Sequence, residues 1–413
     1  MQQSTINPDQ FTGYQKFVIA ILAFLQFTII LDFMIMSPMG AILMPALKIS
    51  PAQFGTVVSA YALSAGISGF LAAGFADRYD RKKLLLFFYA GFVLGTLFCG
   101  LAPNYYFLLA ARIVTGIFGG VIGSVVMAIA TDLFPFQMRG RVMGFLQTAF
   151  AASQILGIPA GLFFSNHWGW HSPFLMIVAV SAVVGGIIVM YLKPVNSHLA
   201  VKPDRNAFHH LFTTLKNTDY ILPFLTTGLL SLGGYMLMPF SSAFTVHNLG
   251  IHIESLPSIY LFTGLASIFI GPLVGKAADA FGKFKVFVFG SGVSAVMVVI
   301  YTNLGITPLY AVVAVNTVMF VGIFSRMIPS QALMSAIPTP ENRGAFMAVS
   351  ASLQQLAGGV ASLVAGLIVV EGTEGVLEHF DTLGYIMVGT TIVTTISMYI
   401  ISNRVSVPNA HPA

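Results

Sequence analysis

Twelve apolar stretches recur along the chain, at approximately 16–45, 52–76, 84–102, 105–131, 140–165, 171–192, 219–246, 255–278, 284–303, 307–336, 343–370 and 382–402. Each is long enough to cross a bilayer core of about 30 Å, which takes about 20 helical residues. Lipid offers no partner to a backbone N–H or C=O, so a segment inside it must close its hydrogen bonds internally. These stretches are too long and too uniformly apolar for the alternating strands of a membrane barrel, which leaves helix. Composition agrees: 56% of the 413 residues are hydrophobic and 8% are charged, against about 25% charged in a soluble domain. The expected fold class is therefore an all-α integral membrane protein with twelve transmembrane helices and the lipid bilayer as its solvent.

The cations decide which way the helices run. Connections after the even-numbered stretches carry Arg78, Arg81, Lys82 and Lys83, then Arg139 and Arg141, and later Lys193, Lys202, Arg205 and Lys216. Lys276, Lys283, Lys285 and Arg343 continue the pattern, and Lys16 and Arg404 flank the ends. Sixteen of the nineteen Lys and Arg thus fall on one side, while the other holds Lys48 and the acidic loop "EGTEGVLEHFD". By the positive-inside rule both termini are cytoplasmic, in a multi-pass protein of the cell's inner (cytoplasmic) membrane. The net charge of +5 then reports topology, and no nucleic-acid partner is expected. The first fifteen residues are polar, lack a basic cluster and precede a run too long for a signal peptide, so no cleavable leader is expected. A single cysteine, Cys99, excludes an internal disulfide and reads as a small hydrophobe.

The chain repeats itself. "FADRYDRKK" after the second helix has a counterpart in "AADAFGKFK" after the eighth, with Asp77 and Asp279 202 residues apart. "PFQMRGRVMG" before the fifth helix resembles "PTPENRGAFMA" before the eleventh, with Arg139 and Arg343 204 apart. Two landmarks with nearly one offset argue for two pseudo-symmetric six-helix bundles, 1–193 and 219–413, joined by a cytoplasmic linker at 194–218. In the linker, Phe208, Leu211, Phe212 and Leu215 fall at spacings of three and four. That spacing suits a short amphipathic helix on the membrane surface; a flexible linker is the alternative for its first half. Two like halves are the layout of parallel-repeat transporters, whose substrate site lies between the halves near the midplane.

At this point the residues resemble the major facilitator superfamily over essentially the whole chain. "AGFADRYDRKKLLL" resembles the family's motif between helices two and three, with Ala73 at its first glycine and Asp80 at its second; the later copy "GKAADAFGK" keeps both glycines. "LLAARIVTGIFGG" resembles the fourth-helix motif with its membrane arginine, Arg112, and "LDFMIMSPMGAILMP" the first-helix pattern of the drug/proton antiporter branch. The fifth-helix antiporter motif survives only as "GIPAGL", with Pro159 one place late. The resemblance implies a pairing of Arg81 with Asp132 as part of a cytoplasmic gate made of Asp77, Arg78, Arg81, Asp132, Asp279 and Lys283. Asp77 ends the second helix near the start of the eleventh, where a carboxylate gains about 0.3–1 kcal/mol from the helix dipole. Asp279 stands in the same relation to the fifth. Asp80 adds a negative charge that weakens or redirects this network.

Only Asp32, Arg112 and Arg326 place a charge well inside the predicted helices. A central aspartate costs about 2.5–3.5 kcal/mol on insertion scales, so Asp32 needs a reason. Counting along the first and fourth helices puts Asp32 and Arg112 at compatible depths in the outer half of the membrane. Either they form a structural ion pair, or they form a proton site facing a cavity between the repeats. Burial disfavours the carboxylate and a neighbouring guanidinium favours it, so a change in pairing changes protonation. Arg326, nearer the cytoplasmic side, either binds an anionic substrate group or bonds to helix-end carbonyls. Phe33 and Met36 suit an adaptable wall for amphiphiles. Tyr61, Gln154, Tyr235, Asn316 and Gln354 are candidates to line the cavity, or to hydrogen-bond between helices. Gly116, Gly119, Gly120 and Gly123, and the pair Gly157 and Gly161, read as close-packing faces, and Pro159, Pro223, Pro239 and Pro329 as kinks. No phosphate loop, metal cluster, CxxC pair or nucleophile constellation occurs, so neither an enzyme nor a cofactor is expected. The expected function is proton-coupled efflux of a small hydrophobic or amphipathic compound by alternating access, in a chain that works as a monomer. The alternatives are a sugar, metabolite or siderophore exporter, an uncoupled facilitator, or, in another class, a non-transporting membrane sensor.

Overall fold

The computed structural model describes residues 11–72, 74–196, 199, 207–339 and 342–406. Among these, twelve helices are long and apolar enough to cross a membrane: Gly13–Ile35, Pro51–Ala72, Arg81–Gly100, Tyr105–Leu133, Arg141–Trp168, Ser172–Tyr191, Thr218–His247, Ile253–Phe281, Lys283–Thr302, Leu309–Ser335, Arg343–Ile368 and Phe380–Val405. Numbered in chain order they are the first to twelfth spans. Twelve crossings leave both ends of the described chain on one face, the termini face, with the far face opposite. Their entry points are set locally: Thr12 makes a capping box with Gln15 at the first span, and Asn104 accepts the Phe107 N–H at the fourth. Asp80 likewise caps the third span, accepting the Lys83 N–H at 3.0 Å. The carboxylate that replaces the family's glycine thus also serves as a helix N-cap.

The first apolar stretch does not run as one helix over 16–45. It ends at Ile35, turns through Met36–Met39, and resumes as a short helix, Gly40–Leu47. Pro38 is the cause, since it has no N–H for the carbonyl one turn back and disfavours helical backbone at Ser37. The seventh span breaks similarly, through a 3-10 turn at Met238–Phe240 that carries Pro239. The two breaks are pinned to each other. Ser242 Oγ donates to the Ser37 carbonyl at 3.0 Å and accepts the Ala41 N–H at 3.3 Å. A Cβ on Gly40 would stand 3.0 Å from the Pro239 carbonyl, so a larger residue there would have to push the two breaks apart slightly. In the fifth span a π turn, Ser153–Gly157, precedes Pro159 and absorbs the hydrogen bond the proline cannot make.

The two six-helix bundles meet unevenly. Toward the far face their buried side chains merge into one core, in which Leu31, Phe54 and Leu162 of the first half join Phe240, Ile259 and Val369 of the second. Toward the termini face the cores part: one cluster holds first-half residues alone, from Val18 to Leu192, and another holds Phe287, Leu333 and Met398 of the second. A seam between the second and eleventh spans is the exception. A Cβ on Gly55 would lie 2.6 Å from the Ser362 carbonyl, one on Gly359 2.7 Å from Leu63, and one on Gly66 2.8 Å from Leu356. Of the fourth-span glycines, Gly116, Gly119 and Gly120 press on Tyr61 and Ala65, whereas Gly123 has open space around it and is no packing contact. Gly157 and Gly161 seat Leu31 and Ile35 of the first span. On the termini face, the helix Ala207–Lys216 docks Leu211 and Leu215 against Tyr220, Phe346 and Val349. The Phe208 side chain and linker residues 197, 198 and 200–206 lie outside the described residues, as do Ala73 and Glu341.

Overpacking a tight seam costs about 1–3 kcal/mol. Gly55→Ala is therefore expected to lower the thermal midpoint of the purified protein, while Gly123→Ala leaves it unchanged or raises it. Thermal unfolding of both variants side by side in one detergent checks this.

Candidate functional site

Asp32 sits on the first span about one turn before its end at Ile35. It does not open onto a cavity between the halves. Its side chain is 0% exposed and points into the first half, toward the third and fourth spans. Arg112 Nη1 donates to Asp32 Oδ2 at 2.8 Å, and Thr96 Oγ1 donates to Asp32 Oδ1 at 3.1 Å. Both carboxylate oxygens are therefore engaged. The Arg112 guanidinium lies 4.5 Å from the centroid of the Tyr61 ring, in cation–π contact. Its Nε is buried with no acceptor, so the cation keeps one unused donor. Close packing by Gly116 and Gly119 lets Tyr61 sit beside the fourth span: a Cβ on Gly119 would stand 2.7 Å from the Tyr61 hydroxyl.

The residue after Asp32 faces the other way. Phe33 packs between Tyr61 at 5.4 Å and Tyr235 of the seventh span at 5.8 Å, ring centroid to centroid. Gly358 of the eleventh span makes room for Tyr235, since a Cβ there would fall 2.9 Å from its ring. The ion pair and the boundary between the halves are thus two faces of one short segment, Asp32–Phe33. Met36, fully buried, follows in the turn after the span.

The remaining expected residues scatter around this centre. Gln154 is half-buried in the π turn, and Asn316, half-buried, returns its amide to the Val312 carbonyl at 2.9 Å. Gln354 is exposed on the eleventh span, while its neighbour Gln355 has a buried Oε1 with no partner. Sequence reasoning passed over Gln355, although its phase with Ser352 and Gly359 on the helix would have distinguished it. Thr96 was also missed; a lone threonine in an apolar run gives no signal. Arg326 stands elsewhere in the second half, with Nη2 donating to Thr394 of the twelfth span at 3.4 Å.

At the termini face Arg81 is buried and donates from Nε to Asp132 at 3.2 Å and from Nη1 to the Ala76 carbonyl at 3.0 Å. Arg78 is exposed, and the Asp77 side chain lies outside the described residues. Asp279 does not reach the fifth span: its side chain is 81% exposed and its ion-pair partner is Lys283, at 3.9 Å. The reason is geometric. The fifth and eighth spans touch where Gly264 meets Ile155 and where Asn166 reaches the Ile253 carbonyl, both away from the termini face.

The sequence profile of the Major Facilitator Superfamily matches residues 22–362 and 223–411. The MFS-type transporter YceJ of Bacillus subtilis is 27% identical over 268 residues, 64% of this chain and 67% of that protein. Multidrug resistance protein MdtG of Klebsiella pneumoniae is 26% identical over 250 residues, 59% of this chain and 60% of that protein. The match to such relatives thus spans about two thirds of their length or less. A solved bacterial homologue of the human lysosomal transporter Spinster, inward-facing and unoccupied, aligns at a TM-score of 0.70 with 15% identity, over 96% of this chain and 97% of that one. A D-xylose-proton symporter aligns at 0.73 with 16% identity, over 93% and 97%. At these identities the likeness is one of fold.

Removing one partner of a buried pair strands the other, at a cost of roughly 3–5 kcal/mol. Arg112→Leu is expected to lose stability on that scale at neutral pH and to regain part of it in acid, where a proton neutralises Asp32. The double variant Asp32→Asn/Arg112→Leu is expected to be more stable than Arg112→Leu alone. A double-mutant cycle of thermal midpoints over pH measures the coupling.

Proposed function

The chain belongs to the major facilitator superfamily of membrane transporters, and from that premise we propose that it expels small hydrophobic or amphipathic compounds in exchange for protons. It is a multi-pass transporter and not an enzyme. The observation that carries the reading is the buried Asp32–Arg112 pair set against the aromatic bridge from Phe33 to Tyr235. The 26% identity to MdtG supports an efflux assignment, because that protein is described as a multidrug resistance protein. The positive-inside distribution supports a cytoplasmic termini face in the cell membrane. With the cores merged at the far face and parted at the termini face, the structure then corresponds to an inward-open arrangement.

The coupling follows from electrostatics. With Asp32 ionised, pair and hydrogen bonds hold the first, third and fourth spans together. A proton on Asp32 removes the counter-charge of Arg112 and leaves a buried cation with the Tyr61 ring and one free donor. That state is unfavourable unless the guanidinium moves or gains another partner. Any movement passes to Tyr61, hence to Phe33 and Tyr235 at the half boundary. Phe33, Met36, Tyr61 and Tyr235 supply apolar faces for cargo, with Gln154, Asn316 and Gln354 as polar contacts. Arg81 with Asp132 serves the gate at the termini face, together with Asp77, Arg78, Asp279 and Lys283. One proton crossing 100 mV releases about 2.3 kcal/mol, enough for about a fiftyfold gradient at one-to-one exchange.

Asp32→Asn is expected to abolish concentrative efflux driven by an imposed pH gradient in proteoliposomes, while substrate counterflow without a gradient persists. Wild-type accumulation by the variant would end the proton-site reading. Loss of counterflow as well would assign Asp32 to folding or cargo binding.

A further inference from the structure

Four charged side chains are buried among the described residues: Asp32, Arg81, Arg112 and Arg326. Three have charged partners, since Arg112 faces Asp32 and Arg81 faces Asp132. Arg326 has none. It is 6% exposed, its single side-chain hydrogen bond is the 3.4 Å contact to Thr394, and its Nε is buried with no acceptor. It sits about 13 Å along the tenth span from the Ser335 end, at 1.5 Å per residue. A lone cation at that depth is far costlier than a paired one, and buried charges persist where something compensates them.

The surroundings are built of donors. Two more orphaned polar atoms in this bundle are the hydroxyls of Ser291 and Ser294, both buried on the ninth span. That span lies hard against the tenth here: a Cβ on Gly290 would stand 2.4 Å from Ser325, and one on Gly322 2.8 Å from the Ser294 nitrogen. Phe287, one turn before Ser291, packs with Leu333 of the tenth span and Met398 of the twelfth, so this face of the ninth span looks toward both. Thr394 spends its own proton on the Thr391 carbonyl at 3.0 Å, which makes it an acceptor for Arg326. Guanidinium Nε and two serine hydroxyls are then three donors without an acceptor, in a place where no carboxylate of the described chain reaches. Buried donors in native proteins find partners, and donors beside a cation take an anion.

We propose that the ninth, tenth and twelfth spans enclose a binding site for one small anion, a halide or a carboxylate, with Arg326 as its charge and Ser291 and Ser294 as neutral donors. The glycine-mediated contact between the ninth and tenth spans leaves no room for a bulky group, which selects a compact anion or the carboxylate end of a slender molecule. This site is separate from the Asp32–Arg112 pair and does not depend on proton exchange there. It completes a bundle that otherwise carries an unbalanced positive charge in the membrane.

The test uses the purified full-length protein in detergent at constant ionic strength, with bulky morpholinoethanesulfonate as the reference anion. Chloride and acetate are titrated separately and the thermal midpoint is read, since a ligand of the native state raises it with the logarithm of one plus concentration over dissociation constant. The expected result is a rise with at least one of the two that follows this logarithmic single-site form and vanishes in Arg326→Gln. Ser291→Ala/Ser294→Ala keeps the cation and is expected to weaken apparent affinity by roughly tenfold; it serves as the readout if Arg326→Gln does not fold. A rise with chloride assigns the site to an inorganic halide, and a rise with acetate alone to a carboxylate such as a cargo would carry. No rise above the reference anion with either, or a rise that survives unchanged in both variants, overturns the proposal.

Discussion

Asp32 and Arg112 can lie at 0% and 1% side-chain exposure only because each neutralises the other. Either charge alone in this setting would cost more than most single interactions in a protein contribute. The rest of the first half is arranged around keeping them together. Thr96 engages the second carboxylate oxygen, Tyr61 covers the guanidinium, and glycines on the fourth span let the second span approach closely enough for that ring to reach. A pair held this way is both a clamp and a sensor, because the same contact that stabilises it makes the bundle respond when one charge is removed.

What such a response can move is set by the contacts between the halves. At the far face these are interlocked: the broken ends of the first and seventh spans share Ser242, and the cores of both halves are continuous. Along the second and eleventh spans the packing is close, since Gly55 and Gly366 bring backbone against backbone and Gly66 and Gly359 seat Leu356 and Leu63. Two leucines seated on glycines are the side chains this seam would have to move past for the halves to shift along it. On the proposed inward-open reading, the parted clusters at the termini face and the pairing of Asp279 with Lys283 belong to one end of such a movement.

The fold was legible because lipid leaves few choices. Twelve apolar stretches, their alternating flanks of cations and a repeat near 203 residues constrain architecture more tightly than any motif of a soluble chain. The ion pair was legible for a related reason, since a carboxylate has few places to go in a membrane and Arg112 was the one cation at its depth. What the sequence hid depends on the direction of a side chain within a helix. Asp32 and Phe33 are adjacent, yet one faces the third and fourth spans and the other the half boundary, and depth alone cannot separate them. Likewise "QQ" at 354–355 does not say which glutamine is turned inward, and nothing in "DRYDRKK" says that the third span starts on Asp80.

The repeat also shows how far the halves have diverged. At an offset of 203 to 204 residues the positions of Asp32 and Arg112 correspond to Tyr235 and Asn316 in the second half. The charged pair is therefore replaced there by two neutral groups, and the tyrosine meets Phe33 across the boundary. The second half's own buried charge, Arg326, lies ten residues, nearly three turns, further along its helix and faces the twelfth span instead. Two bundles of common design thus hold their charges in different places and with different partners. An internal ion pair titrates with a proton, whereas a lone guanidinium among hydroxyls can be balanced only from outside the chain. On the proposals above, the first half answers to protons and the second to anions, and the aromatic contact between Phe33 and Tyr235 is where the two responses meet.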